Sequence, residues 1–264
     1  RAGPRGSGQW DEISWDEVLE EMADRLLAVR AEHGPESLIG AVSSAFFSRG
    51  AMVALLMRSL GSPNWMMNQD LCGGCRALSD KVTGLGIVGG EDVDNTRCAL
   101  IAGRNPSAAD PVQWMGLKKV KENGAKFIVI DPAATPAAKL ADIWLRPKPG
   151  SDAAIALAMT HVIIEEDLYD RNFVENWTSG FDELRKRAAQ YTPARAAELA
   201  GVSADDIVAA ARLYSDGPSC FVSGHGIDAF ANGVQTFRAF HCLVAITGNI
   251  DRRGGNIRVK RPRG

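Results

Sequence analysis

Residues 98–132 read CALIAGRNPSAADPVQWMGLKKVKENGAKFIVIDP. Two short, uninterrupted apolar runs, CALIAG and KFIVID, flank a segment with helical spacing that stops at Gly124. A run of four to eight apolar residues bounded by turn residues suits a strand buried on both faces, as in a parallel sheet. Two such strands joined through a helix form a βαβ unit. The alternation continues on both sides. ATPAAKLA reads as a short helix, DIWLRP as a strand, DAAIALAMTHVIIEE as a helix and CFVSG (220–224) as a further strand. NGVQTFRAFHCLVAITGN reads as a last helix with Phe237, Phe240, Leu243 and Val244 on one face. Residues 166–216 are helical in pattern and form an insert, with Ser203 and Asp206 as a capping signature. The expected fold is α/β: a parallel-sheet, Rossmann-like nucleotide-binding domain with helices on both faces and a helical insert.

The amino-terminal part reads as part of a second α/β layer. Ser14 and Glu17 match a capping box, and Val18, Met22, Leu26 and Val29 fall on one helical face before Gly34-Pro35. SLIGAV reads as a buried strand, and RGAMVALLMRSLGS as a helix ending at Gly61. The expected division is therefore 1–70, 71–256 and a basic tail, 257–264.

The 264 residues carry 30 Lys and Arg against 32 Asp and Glu, a net charge of −2, which gives no electrostatic footprint for nucleic acid. No run reaches the length of a membrane-spanning helix. Five cysteines in a chain of this size do not make a disulfide scaffold. Cys98, Cys220 and Cys242 sit in apolar runs and read as buried thiols. Cys72 and Cys75, in MMNQDLCGGCRALSDKVTG (66–84), stand at the start of a helix, where the dipole favours a thiolate. Thiol–disulfide exchange, one ligand to a metal, and plain packing all remain open from these residues alone. Zinc lacks two further ligands at any usual spacing.

GRNP, DPAATP and GHGID each follow a strand, and RPKPGSD leads into a helix. In an open parallel sheet, ligands bind outside the carboxyl ends of the strands, where helix N-termini favour phosphates. Neither G-x-G-x-x-G nor a P-loop is present.

Taken in order, these segments resemble the molybdenum/tungsten bis-pterin oxidoreductases, the dimethyl sulfoxide reductase family that includes formate dehydrogenases, nitrate reductases and thiosulfate reductases. GQWDEISWDEVLEEMADRL, LIAGRNPSAADP, GAKFIVIDP, DIWLRPKPGSD and TGNIDRRGGN carry the resemblance over almost the whole chain. It implies a bis-molybdopterin guanine dinucleotide cofactor with molybdenum or tungsten, an iron–sulfur cluster in a preceding part of such an enzyme, an electron-transfer subunit or domain, and a small-molecule substrate undergoing two-electron oxygen-atom or hydride transfer. Cys72 matches the metal ligand and Cys75 is the second choice. Gly103, Asn105 and Pro106 match a first phosphate loop, and Asp131 and Pro132 a second. Pro149, Gly150 and Asp152 match the guanine end. Gly224, His225 and Gly226 match the loop near the pterin, with His225 a candidate donor to pterin or substrate.

Two departures bear on substrate and cofactor. Gly73 and Gly74 follow Cys72 where formate dehydrogenases carry a His, which argues against formate. Ala133 stands where the family often has Arg. The chain is far shorter than the family's enzymes and is expected not to complete an active site alone. A truncated, non-catalytic nucleotide-binding relative and a Cys72/Cys75 thiol oxidoreductase are the alternatives; compartment is not legible.

Overall fold

A computed structural model describes residues 1–43, 47–68, 73–87 and 90–258. The chain divides into two compact units, Arg1–Asp70 and Leu71–Gly264.

In the first unit, helix α1 (Trp15–His33) begins at the expected capping box: Ser14 Oγ accepts from the Glu17 N–H, and the Glu17 carboxylate accepts from the Ser14 N–H. No residue of α1 is buried. Met22 and Val29 are exposed, so within this unit the apolar face read from the sequence is largely uncovered. Strand β1 (Gly40–Val42) is shorter than SLIGAV suggested; Ser37 ends a 3-10 turn and Ile39 is exposed. It pairs in parallel with β2 (Trp65–Met67) across α2 (Phe47–Ser59). Leu38, Met57 and Leu60, with Leu26 and Val53 against them, make a small core.

The second unit holds a four-stranded parallel sheet. Its strands are β3 (Cys98–Ala102), β4 (Lys126–Ile130), β5 (Ile143–Leu145) and β6 (Ser219–Ser223), in the order β5-β4-β3-β6. Its helices are α3 (Cys75–Thr83), α4 (Pro106–Ala109), α5 (Pro111–Glu122), α6 (Pro136–Lys139) and α7 (Asp152–Glu165). The insert α8 (Arg171–Trp177), α9 (Phe181–Ala188), α10 (Pro193–Ala200) and α11 (Ala204–Ser215) follows, and α12 (Gly233–Ile246) closes the series. Alternate strand residues serve two cores. Leu100, Ala102, Ile128, Ile130 and Phe221 pack with α7, α10, α11 and α12. Ala99, Ile101, Phe127, Val129, Cys220 and Val222 pack with α5 and α6. Burial on both faces is why these strands read as continuous apolar runs. Phe237, Phe240, Leu243 and Val244 are all fully buried, as their spacing suggested. Cys242, by contrast, is only half-buried, because it lies off that stripe on α12.

The free edge of β6 is closed by side chains. Asn256 Oδ1 accepts from Phe221 N–H and its Nδ2 donates to the Phe221 carbonyl, while Asn249 Oδ1 accepts from Ser219 N–H. TGNIDRRGGN thus substitutes for a neighbouring strand and blocks edge pairing. No helix among the described residues is long and apolar enough to cross a membrane.

Candidate functional site at the carboxyl ends of the sheet

The register decides where the loops emerge. Ala102 is level with both Ile130 and Ser223, and Ile130 with Leu145. Gly103, Asp131, Arg146 and Gly224 therefore leave the sheet side by side. The chain runs from β3 outward to β4 and β5, then returns to β6 on the other flank of β3. This reversal opens a crevice at the carboxyl ends of the strands.

A cleft of about 390 Å³ lies there. Gly103 and Asn105 line it after β3, and Asp131, Pro132, Ala133 and Thr135 after β4. Pro147, Pro149 and Asp152 contribute after β5, and Gly226 and Phe230 after β6. Of the residues expected at a cofactor, Pro106, Gly150 and Gly224 do not line this cleft. Pro106 is buried at the first position of α4. Gly150 supports the Phe230 ring, whose Cδ1 would lie 3.3 Å from a Cβ there. Gly224 permits two loops to touch: a Cβ on it would fall 2.1 Å from the Gly103 carbonyl oxygen. Gly103 itself has φ +54° and no room for a Cβ beside Ile227.

The polar groups fall into two kinds. Asp131 is committed to its loop, with Oδ1 accepting from Ala133 N–H at 2.8 Å. Arg104 is turned away, bonded to Asp110 and Gln113 at the start of α5. Asp152 is different. It opens α7, is 4% exposed, and no other described residue donates a hydrogen bond to its carboxylate. Ser151 does not cap the helix; its hydroxyl donates to the Lys148 carbonyl. Burial pushes the Asp152 carboxyl up to about 6, and the charge of Asp131 adds to the rise. Burial also raises Asp131. Two carboxylates at one cleft, one with no donor from any other described residue, suit a ligand that brings N–H groups.

His225 starts a 3-10 turn after β6. Its Nδ1 lies 3.1 Å from Asp228 Oδ2 and its Nε2 lies 3.2 Å from Arg76 Nη2 on α3. Cys72 lies outside the described residues. Gly73 and Gly74 form a wide helical turn into α3. Cys75 is a half-buried free thiol, with its sulfur 3.0 Å from where a Cβ on Gly233 would stand. Among the described residues, no three His, Cys, Asp or Glu side chains gather as a metal site. Sequence reasoning missed Arg76, Asp228, Phe230 and Thr135. Arg76 directly follows the C-G-G-C motif, yet nothing in the sequence pointed to its partner. A second concavity, about 410 Å³, opens at the opposite, amino ends of the strands between Arg97, Asn123 and Asp216; it shares no residue with the cleft.

The chain matches the family model for molybdopterin oxidoreductases over residues 1–261. It belongs to the molybdopterin oxidoreductase family. Membership implies a molybdenum- or tungsten-pterin cofactor. Curated relatives include the thiosulfate reductase molybdopterin-containing subunit PhsA of Salmonella typhimurium, 37% identical over 97% of this chain and 34% of its own length. Acetylene hydratase of Syntrophotalea acetylenica is 38% identical, over 93% of this chain and 34% of its length. Formate dehydrogenase H of Escherichia coli is 35% identical, over 93% and 35%. Among solved structures, acetylene hydratase from Pelobacter acetylenicus superposes with a TM-score of 0.72 at 35% identity, covering 93% of this chain and 34% of that one. The chain thus spans about a third of the length of these molybdopterin relatives. Their names describe a reductase, a hydratase and a dehydrogenase, so family membership alone does not set the reaction.

Proposed function

We propose that this chain is the part of a molybdenum- or tungsten-dependent bis-molybdopterin guanine dinucleotide oxidoreductase that cradles one guanine dinucleotide and supplies the metal's protein ligand. Its substrate is a small molecule undergoing two-electron oxygen-atom or hydride transfer, and electrons leave through a further subunit or domain. The observation that carries the reading is Asp152, a buried carboxylate on the cleft without a donor from any other described residue. A guanine edge offers two adjacent N–H donors to such an acceptor, so the residues present fit the group. Phe230 adds an apolar face at the same cleft, and Pro147 and Pro149 hold its wall rigid.

The dinucleotide-binding, Rossmann-like character of the domain rests on the same cleft. Gly103 and Gly224 let two strand-end loops meet without side chains between them, which leaves backbone groups near a diphosphate. When bound, the cofactor supplies the metal-centred redox chemistry. This chain's residues bind and orient it: Asp152 selects the base, Gly103, Asn105 and Pro106 form the first phosphate loop, and Asp131 and Pro132 shape the second. Cys72, three positions before Cys75 in sequence, offers a soft thiolate suited to molybdenum or tungsten. His225 adjoins the pterin end.

The experiment is X-ray absorption on the complete enzyme from a molybdate- or tungstate-supplied host. Cys72→Ala is expected to remove the metal–sulfur contribution of the protein and Cys75→Ala to keep it. Retention in both variants would sink the ligand assignment.

A further inference from the structure

Arg76 lies in the first turn of α3, four residues after Cys72. It is a largely buried cation with few partners. Its side chain is 18% exposed, and that of its neighbour Asp228 is fully buried. Arg76 Nε is sealed from solvent and has no hydrogen-bond acceptor among the described residues; Asp228 Oδ2 stands 3.7 Å away, too far to bond.

The protonation pattern follows from the donors. A guanidinium only donates. At 3.2 Å from Arg76 Nη2, His225 Nε2 must accept, so the ring proton sits on Nδ1. That N–H donates to the Asp228 carboxylate at 3.1 Å. Asp228 therefore bonds the imidazole, and the imidazole bonds the guanidinium. In this arrangement the Nε2 lone pair of His225 faces Arg76. The charge of Arg76 is offset at a distance by Asp228, yet most of its N–H groups find no acceptor among the described residues. Gly226 and Phe230 of the same loop line the cleft.

We propose that Arg76 is an oxyanion-binding residue, oriented by His225 and Asp228 as positioning residues. A planar fork of donors held at low solvent exposure suits a carboxylate, a sulfur oxyanion or a phosphate bidentately. Two sources share this chemistry: a phosphate of the cofactor, or an anionic substrate. Only the choice between sources rests on the function proposed above; the bonding of Arg76 does not.

Inorganic sulfate is the first probe, titrated calorimetrically into the protein at low salt and neutral pH. One saturable site is expected. Its affinity should fall at least ~10-fold in Arg76→Gln, fall less in Arg76→Lys, which keeps the charge without the fork, and fall measurably in Asp228→Asn, which loosens the imidazole. Thermal melts of each variant without sulfate separate loss of binding from loss of fold. Absence of a saturable wild-type site, or equal affinity in a folded Arg76→Gln, overturns the inference.

The second arm uses the cofactor-loaded complete enzyme. If Arg76→Gln lowers the GMP released by acid, the anion is a cofactor phosphate. If GMP is kept while KM for an anionic substrate rises and kcat holds, the anion is the substrate. No change in either quantity again overturns the inference. Absence of GMP from the wild-type enzyme strikes the proposed function alone, since sulfate binding does not depend on it.

Discussion

Replacing Asp152 by Asn should stabilise the protein at neutral pH and leave it nearly unchanged in acid. The carboxylate is buried, and its pKa is raised from 3.8 to about 6 by that burial, with the charge of Asp131 adding to it. The sign follows from linkage. The folded state holds this proton more tightly than the unfolded state does, so stability falls as pH rises through the window from 3.8 to about 6. Below the window both states are protonated and the cost vanishes. Above it the full cost is present, roughly 3 kcal/mol for a shift of about two units. Asn keeps the shape but brings an amide needing its own partners, so a net gain of about 1–3 kcal/mol is expected at pH 7. For a chain of this size that raises Tm by roughly 2–10 °C. Wild type and variant should be unfolded by urea and by heat, side by side, near pH 4 and pH 7. A variant equally destabilised at both pH values would mean that the carboxylate is satisfied within the fold, and the reasoning that assigns it to a ligand would fail.

The strand-end glycines and the cysteines make further tests. Gly224→Ala drives a Cβ to 2.1 Å from the Gly103 carbonyl oxygen and is expected to cost about 3 kcal/mol or more. Gly124→Ala, at φ +96° with open space around it, should cost only about 1 kcal/mol; equal urea midpoints for the two would refute the steric argument. Burial pushes Cys220 up to about 12 and Cys98 higher still. Iodoacetamide at pH 8 should therefore spare both in the folded protein and modify both in urea, with mass spectrometry as the readout; labelling of Cys98 in the native state would contradict its place in the sheet.

Strong local patterns carried most of the architecture into the sequence. CALIA, KFIVI and CFVS announce buried strands because both faces of each are covered. Ser14, Ser203 and the Pro and Gly stops mark helix ends through bonds within a few residues. α1 and β1 were less legible. Their apolar residues follow the right period, but periodicity shows which face is apolar and not what covers it. Within the site, the loops were readable as turn chemistry, and Asp152 was readable only beside a family resemblance. Arg76 and Asp228 were not readable at all. They lie 152 positions apart in sequence, and their partnership through His225 exists only because α3 packs against the loop before α12.

The guanine assignment is tested most directly by comparing GMP with AMP in a binding titration against this protein and against Asp152→Asn. GMP should bind more tightly than AMP, since adenine presents no adjacent pair of N–H donors to a carboxylate, and the preference should collapse in the variant. Equal binding of the two nucleotides by the wild-type protein, or a preference for GMP that survives in Asp152→Asn, would contradict it.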